Sequence, residues 1–352
     1  MHSPIETIVL LGYLDSLFVE DRAREVTPLR VVPETLNRLH AQAMREHARE
    51  SVLLVRTDTE WNPTPDWRLD RHVIRVGLYL RERLGVEPGD RVALLGELRP
   101  EWLIADLAGL GLGAVSVAID PRLRGEELTA ALEDAAPRVT FASAGSLSLL
   151  ESLDGRAPRH GELIALDPVA TGGAMPLHVL LEMGGTLDTP ERAQAYRADA
   201  RSLTPDRPAV RHYQRAPHAG WERFDLTQGE VIERLRAGWL REPAHSGDLA
   251  YVCDPTASMA ARLALYAFVG DGYTTTALAP IGWELSDLAA LHPTKIVAPA
   301  ALLAEAVRVG RGRRGIRNTL GGRARWIASI DPLDSALADR LGVVEVVGPA
   351  PS

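Results

Sequence analysis

From about residue 33 onward, short unbroken apolar runs alternate with segments whose apolar residues return every three or four positions. The runs Ser51 to Arg56, Arg91 to Leu95, Val115 to Ile119, Arg138 to Ala142, Glu162 to Leu166 and Val343 to Gly348 are short, rich in branched residues and bounded by turn residues, which predicts strands. Helices are expected over Pro33 to Glu50, Arg71 to Leu84, Arg124 to Ala135, Pro176 to Met183, Pro190 to Ser202 and Gln228 to Leu240, the last capped by Thr227. Strands that are apolar on both faces need cover on both faces. Their alternation with helices therefore predicts an α/β protein with a mainly parallel sheet between helical layers.

Three stretches lie outside this alternation. Residues up to about Arg30 are irregularly amphipathic and read as an arm or docking helix. The dense arginines Arg308, Arg311, Arg313, Arg314 and Arg317 read as a solvated loop over Val307 to Arg317. Pro293 to Ala298 reads as a short buried strand containing Lys295, the only lysine of the chain.

At 352 residues the chain is long enough for one large or two intimately packed domains. A composition 46% hydrophobic and 24% charged is globular, and a net charge of −8 opposes general nucleic-acid binding. Cys253, the one cysteine, excludes an intrachain disulfide and suits a reducing compartment. The apolar run from Ile8 is preceded by Glu6 and interrupted by Asp15, so neither a signal peptide nor a membrane span is expected, and the expected location is the cytoplasm. The 10 histidines form no H-E-x-x-H or Cys/His cluster, so no metal is expected. A G-x-S-x-G elbow and a strand-borne G-x-G-x-x-G are both missing, and Gly109 to Gly113 reads as a close-packed helix end.

The segments Leu84-Gly-Val-Glu-Pro-Gly-Asp-Arg-Val-Ala-Leu-Leu95, Arg99-Pro-Glu-Trp102, Gly111-Leu-Gly-Ala114, Asp120-Pro121 and Glu126-Glu-Leu128 follow one another in a spacing that resembles the first large subdomain of the adenylate-forming ligases. Asp248 to Arg262 is similar to a long-chain acyl-CoA synthetase segment, with Pro255, Ala257 and Arg262 matching, while the family histidine falls on Ser258 and an aromatic on Ala260. The resemblance implies two packed, mainly parallel-sheet subdomains. Residues 59–205 form the first and 206–352 the second, with the N-terminal segment 1–58 joining the second.

That resemblance also places the family's phosphate loop, Y-[ST]-S-G-[ST]-[ST]-G-x-P-K-G, on residues 213–223. Tyr213 keeps the tyrosine, but the hydroxyls fall on Gln214, Arg215, Pro217 and His218, the glycines on Ala216, Ala219 and Arg223, the proline on Trp221 and the lysine on Glu222. Glycines let backbone N–H groups approach phosphate oxygens, hydroxyls add donors and lysine supplies charge. A carboxylate in the lysine position costs on the order of 4 kcal/mol per phosphate charge at about 4 Å and an effective dielectric of 20. ATP binding is therefore not expected, and the loop residues Arg211, His212, Arg215, His218 and Arg223 read as solvated charges.

The family's G-Y-G-x-T-E segment and mobile C-terminal domain would lie beyond Ser352. The expected function is thus a catalytically inactive acyl-CoA synthetase-like protein, without catalytic residues or cofactor, that binds or scaffolds. A protein partner or self-association is expected through Tyr213, Trp221 and Phe224. The alternatives are a residual acyl-adenylate or acyl-CoA ligase completed by another chain, and a non-catalytic acyl or small-molecule binder.

Overall fold

The computed structural model describes residues 32–46, 48–57, 60–153, 160–168, 173–215, 220–240, 244–278, 285–333, 335–341 and 345–346. The arm expected before Arg30 and the loop residues Ala216, Pro217, His218 and Ala219 lie outside them.

Among the described residues two seven-stranded sheets stand in helical layers. One runs β7-β6-β5-β3-β4-β8-β9, where β3 is Arg91–Leu95, β4 Val115–Ile119, β5 Val139–Ala142, β6 Glu162–Ala165, β7 Met175–Pro176, β8 Pro208–Arg215 and β9 Trp221–Thr227. The other runs β14-β13-β12-β10-β11-β1-β2, with β1 Leu53–Thr57, β2 Glu60–Thr64, β10 Leu249–Val252, β11 Thr275–Leu278, β12 Lys295–Ala298, β13 Trp326–Ser329 and β14 Glu345–Val346. All neighbours are parallel except β1 with β2 and β8 with β9, so each sheet ends on one antiparallel edge strand. The central strands are buried almost without interruption, as helices on both faces require.

Between the sheets lie α1 (Leu36–Glu46), α2 (Asp66–Glu82), α3 (Pro100–Gly111), α6 (Leu177–Gly185), α7 (Pro190–Ser202), α8 (Gln228–Arg234) and α9 (Met259–Gly270). One continuous core joins them to both sheets, through Val92, Leu94 and Ala118 on one side and Val252, Leu278 and Val297 on the other. Helices α4 (Gly125–Ala135) and α5 (Ala144–Glu151) cover the outer face of the first sheet. Helices α10 (Leu285–Leu291), α11 (Ala300–Val309), α12 (Gly312–Thr319) and α13 (Ser335–Leu341) cover the second. The inner helices thus give the two sheets one shared core, and each sheet adds an outer core of its own.

Two sequence expectations need correction. The boundary at 205 and 206 separates strands that belong together. Strand β8 pairs with β4 in parallel, and the Asp120 N–H donates to the Tyr213 carbonyl at 2.8 Å, so residues 206–227 complete the first sheet while β2 closes the second. The arginine-rich stretch contains a helix, α12: Ile316 is buried while Arg313, Arg314 and Arg317 point to solvent.

Candidate functional site

Of the residues that the sequence resemblance assigns to a phosphate loop, 213–215 lie on β8 and 221–223 on β9, two strands paired antiparallel. Cross-strand pairs Arg211 with Asp225, Tyr213 with Arg223 and Arg215 with Trp221 share one face, and His212 pairs with Phe224 on the other. Positions 221 to 223, which carry proline, lysine and glycine in the family pattern, are here ladder residues of β9. Gly220 enters that strand at a φ of +74°, a conformation glycine adopts without strain.

Toward α4 the hairpin satisfies its own polar groups. The Tyr213 hydroxyl, on a side chain 0% exposed, donates to Asp134 Oδ2 at 2.6 Å, and Arg223 reaches the same carboxylate at 2.8 Å. Arg223 also pairs with Asp225 at 2.9 Å, and Arg211 with Asp225 at 2.6 Å. Trp221 stands edge-on to Tyr213, ring centroids 5.0 Å apart. The tyrosine's hydrogen bond, seconded by Arg223, holds the Asp134 carboxyl below its usual range. Burial and that same bond push the Tyr213 phenol up, so it stays a neutral donor.

The opposite face of the hairpin meets the interior. His212 is 1% exposed and neither ring nitrogen has a hydrogen-bond partner among the described residues; burial, then the nearby Arg262 charge, pushes it down to about 3. Arg262 of α9 is wholly buried and ties the two halves together. It bonds Asp106 of α3 at 2.6 Å, Ser116 of β4 at 2.6 Å and the Tyr266 hydroxyl at 2.7 Å, and it lies 5.1 Å from the Trp102 ring centroid. This is a position matched in the sequence, and its chemistry is structural.

Just past the carboxyl ends of β4 and β10 stand two buried carboxylates, Asp120 and Asp254. Asp120 forks onto Arg122, at 2.7 and 3.0 Å, and accepts from the Arg215 N–H at 3.3 Å. Asp254 accepts from the backbone N–H groups of Thr256 and Ser258, at 2.8 and 2.6 Å. Ser258, where the family pattern has histidine, caps α9 by accepting from the Ala261 N–H at 3.3 Å. Lys295 is held by Asp248 at 3.2 Å and lies 5.2 Å from the Phe268 ring centroid. The chain's one lysine is thus deep in the second sheet. No group of three or more His, Cys, Asp or Glu side chains converges for a metal among the described residues.

Residues 67–213 match the family described as AMP-binding enzyme. The long-chain-fatty-acid–CoA ligase FadD15 of Mycobacterium bovis is 30% identical over 217 residues, covering 61% of this chain and 35% of the relative. The chain carries the fold of the N-terminal domain of the acyl-CoA ligases. Among solved members, the inhibitor-bound N-terminal domain of FACL13 from Mycobacterium tuberculosis superposes with a TM-score of 0.71 over 90% of this chain and 75% of that one, at 19% identity. The anthranilate CoA ligase AuaEII in complex with anthranoyl-AMP gives 0.68 over 89% and 59%, at 17% identity. These likenesses show the fold, and the chain spans about a third of the length of the curated ligases it matches.

Against that ligase scaffold, the described loop residues Tyr213, Gln214, Arg215, Trp221, Glu222 and Arg223 are brought together in one hairpin, with Glu222 and Gln214 directly opposite each other. Tyr213 cannot serve a partner surface, because it is enclosed under Trp221, which packs on the outer core while Phe224 packs on the inner one. Arg211 and Arg223 are ion-paired, Arg223 at the surface, and His212 is interior. Sequence reasoning missed Asp134, 79 residues from Tyr213. No local motif marks it; an aspartate near the end of an amphipathic helix looks like any solvated charge.

Proposed function

We propose that this chain is a catalytically inactive acyl-CoA synthetase-like protein that works by binding rather than by adenylation. The β8–β9 hairpin carries the reading. Anion-binding loops keep N–H donors and cations unpaired and facing outward, whereas here Arg211 and Arg223 are committed to Asp225 and Asp134, and the proline, lysine and glycine positions are ladder residues. Glu222 is exposed at the lysine position, where it repels a triphosphate. Relatives such as FadD15 are acid–CoA ligases by name, which makes an acyl or aromatic acid the natural class of bound molecule.

Binding to a protein belongs to the same proposal. With Tyr213 enclosed, the contact falls to the outer strand β9, whose Trp221 and Phe224 are half-buried. The proposed setting is the cytoplasm; among the described residues no helix is long and apolar enough to cross a membrane.

Isothermal titration with magnesium ATP tests the reading. No heat of binding up to millimolar nucleotide is expected for the wild type, and none for Glu222→Lys, because one lysine does not restore glycines and hydroxyls. Saturable binding by the wild type would contradict it.

A further inference from the structure

A cavity of about 330 Å³ opens between α1, α2, α3 and α7, sharing no residue with the hairpin. That volume lies at the lower end of the range for small-molecule sites. Met44, Val73, Leu107 and Ala200 contribute apolar wall, and α3 and α7 are drawn close there because the Tyr196 hydroxyl donates to the Ala108 carbonyl at 3.1 Å.

The lining is electrostatically lopsided. Arg45 and Arg197 are exposed and Arg201 half-buried, against one carboxylate, Asp70, which Arg197 engages at 2.5 Å. Arg45 and Arg201 have no carboxylate partner among the described residues, in a chain whose net charge is −8. Deeper in, Asn37 donates to the Leu110 carbonyl at 2.8 Å. His40 gives its Nε2 hydrogen to the Tyr266 carbonyl at 3.3 Å, so its Nδ1 is an acceptor. Burial pushes His40 down to about 4, and the interior is uncharged at neutral pH. A cationic border around an apolar, neutral interior complements a molecule with an acid group at one end and an apolar body.

We infer that this cavity binds a carboxylic acid carried on an apolar chain, with the carboxylate against Arg45 and Arg201 and the chain along Met44, Val73 and Leu107. The site stands apart from the question of adenylation, since a molecule held there does not approach β8 or β9.

Titration calorimetry of the full chain with dodecanoate, using dodecylamine as the cationic counterpart, tests the site. Dodecanoate is expected to bind and dodecylamine not to. Ala41→Trp, which fills the cavity from α1, abolishes binding, and Arg201→Glu, a change at the border, weakens it about tenfold while the thermal midpoint stays within a degree or two. Equal binding of the amine overturns the proposal, as does absence of dodecanoate binding at 1 mM or unchanged affinity in a folded Arg201→Glu protein. Magnesium ATP titrated in parallel separates this result from the inactivity proposal, because either can fail alone.

Discussion

Tyr213 shows how one residue can keep its place in a pattern and change its work. Its position in the ligase motif is legible from the sequence, but its partner is Asp134, 79 residues earlier, and nothing in either local sequence pairs them. Tyr213→Phe should cost about 1 to 2 kcal/mol in chemical denaturation, the lost hydrogen bond to a charged acceptor. The buried imidazoles make a sharper statement. His212 and His40 are held near 3 and 4 in the folded chain against 6.5 ordinarily, so between those limits the unfolded chain binds more protons. Their contribution is therefore complete above pH 6.5 and lost as pH falls, at up to about 1.4 kcal/mol per pH unit for each histidine. Asp134 acts lower: its carboxyl lies below 3.8, so its contribution is present above that pH and lost below it. Denaturation midpoints followed from pH 7 to 5 should fall in the wild type and fall less steeply in His212→Leu, which keeps His40; a flat wild-type profile would contradict the burial of charge-free imidazoles.

At the scale of elements, most of the strands and helices were legible because the central strands are short apolar runs flanked by turns, and helices such as α1 and α2 show an apolar stripe. The misplaced boundary has a physical cause: β8 is a run of mixed polarity, and only its long-range ladder to β4 tells which sheet it joins. Helix α12 escaped for the opposite reason, since its one buried residue, Ile316, gives no stripe to read. Two predictions test the inner layer. Arg262→Met leaves the Asp106 carboxylate buried with only neutral partners and should destabilise by about 3 to 5 kcal/mol, measured by urea unfolding. Gly111→Ala puts a Cβ 1.9 Å from the Tyr196 hydroxyl, and overpacking there should cost about 1 to 3 kcal/mol. A near-neutral Arg262→Met protein would mean that the cluster is not the tie between the halves.

On the scale of the whole molecule, the architecture and the ligase scaffold were readable in the sequence because many separate segments keep their order and spacing. Function was less readable, for fold does not fix it; loss of the loop's glycines and lysine could be seen, but the ladder between β8 and β9 could not. If β9 is a contact surface, light scattering on the wild type should give a mass above 38.2 kDa that falls toward it in Trp221→Ala, whereas an unchanged monomer in both would remove that surface from the account. The central claim, that the scaffold is kept without adenylation, is tested most directly by pyrophosphate release from magnesium ATP in the presence of octanoate, dodecanoate, palmitate and hydroxybenzoates, with coenzyme A. Release no faster than from heat-denatured protein is expected for every acid. Saturable, acid-dependent release by the native chain would contradict it.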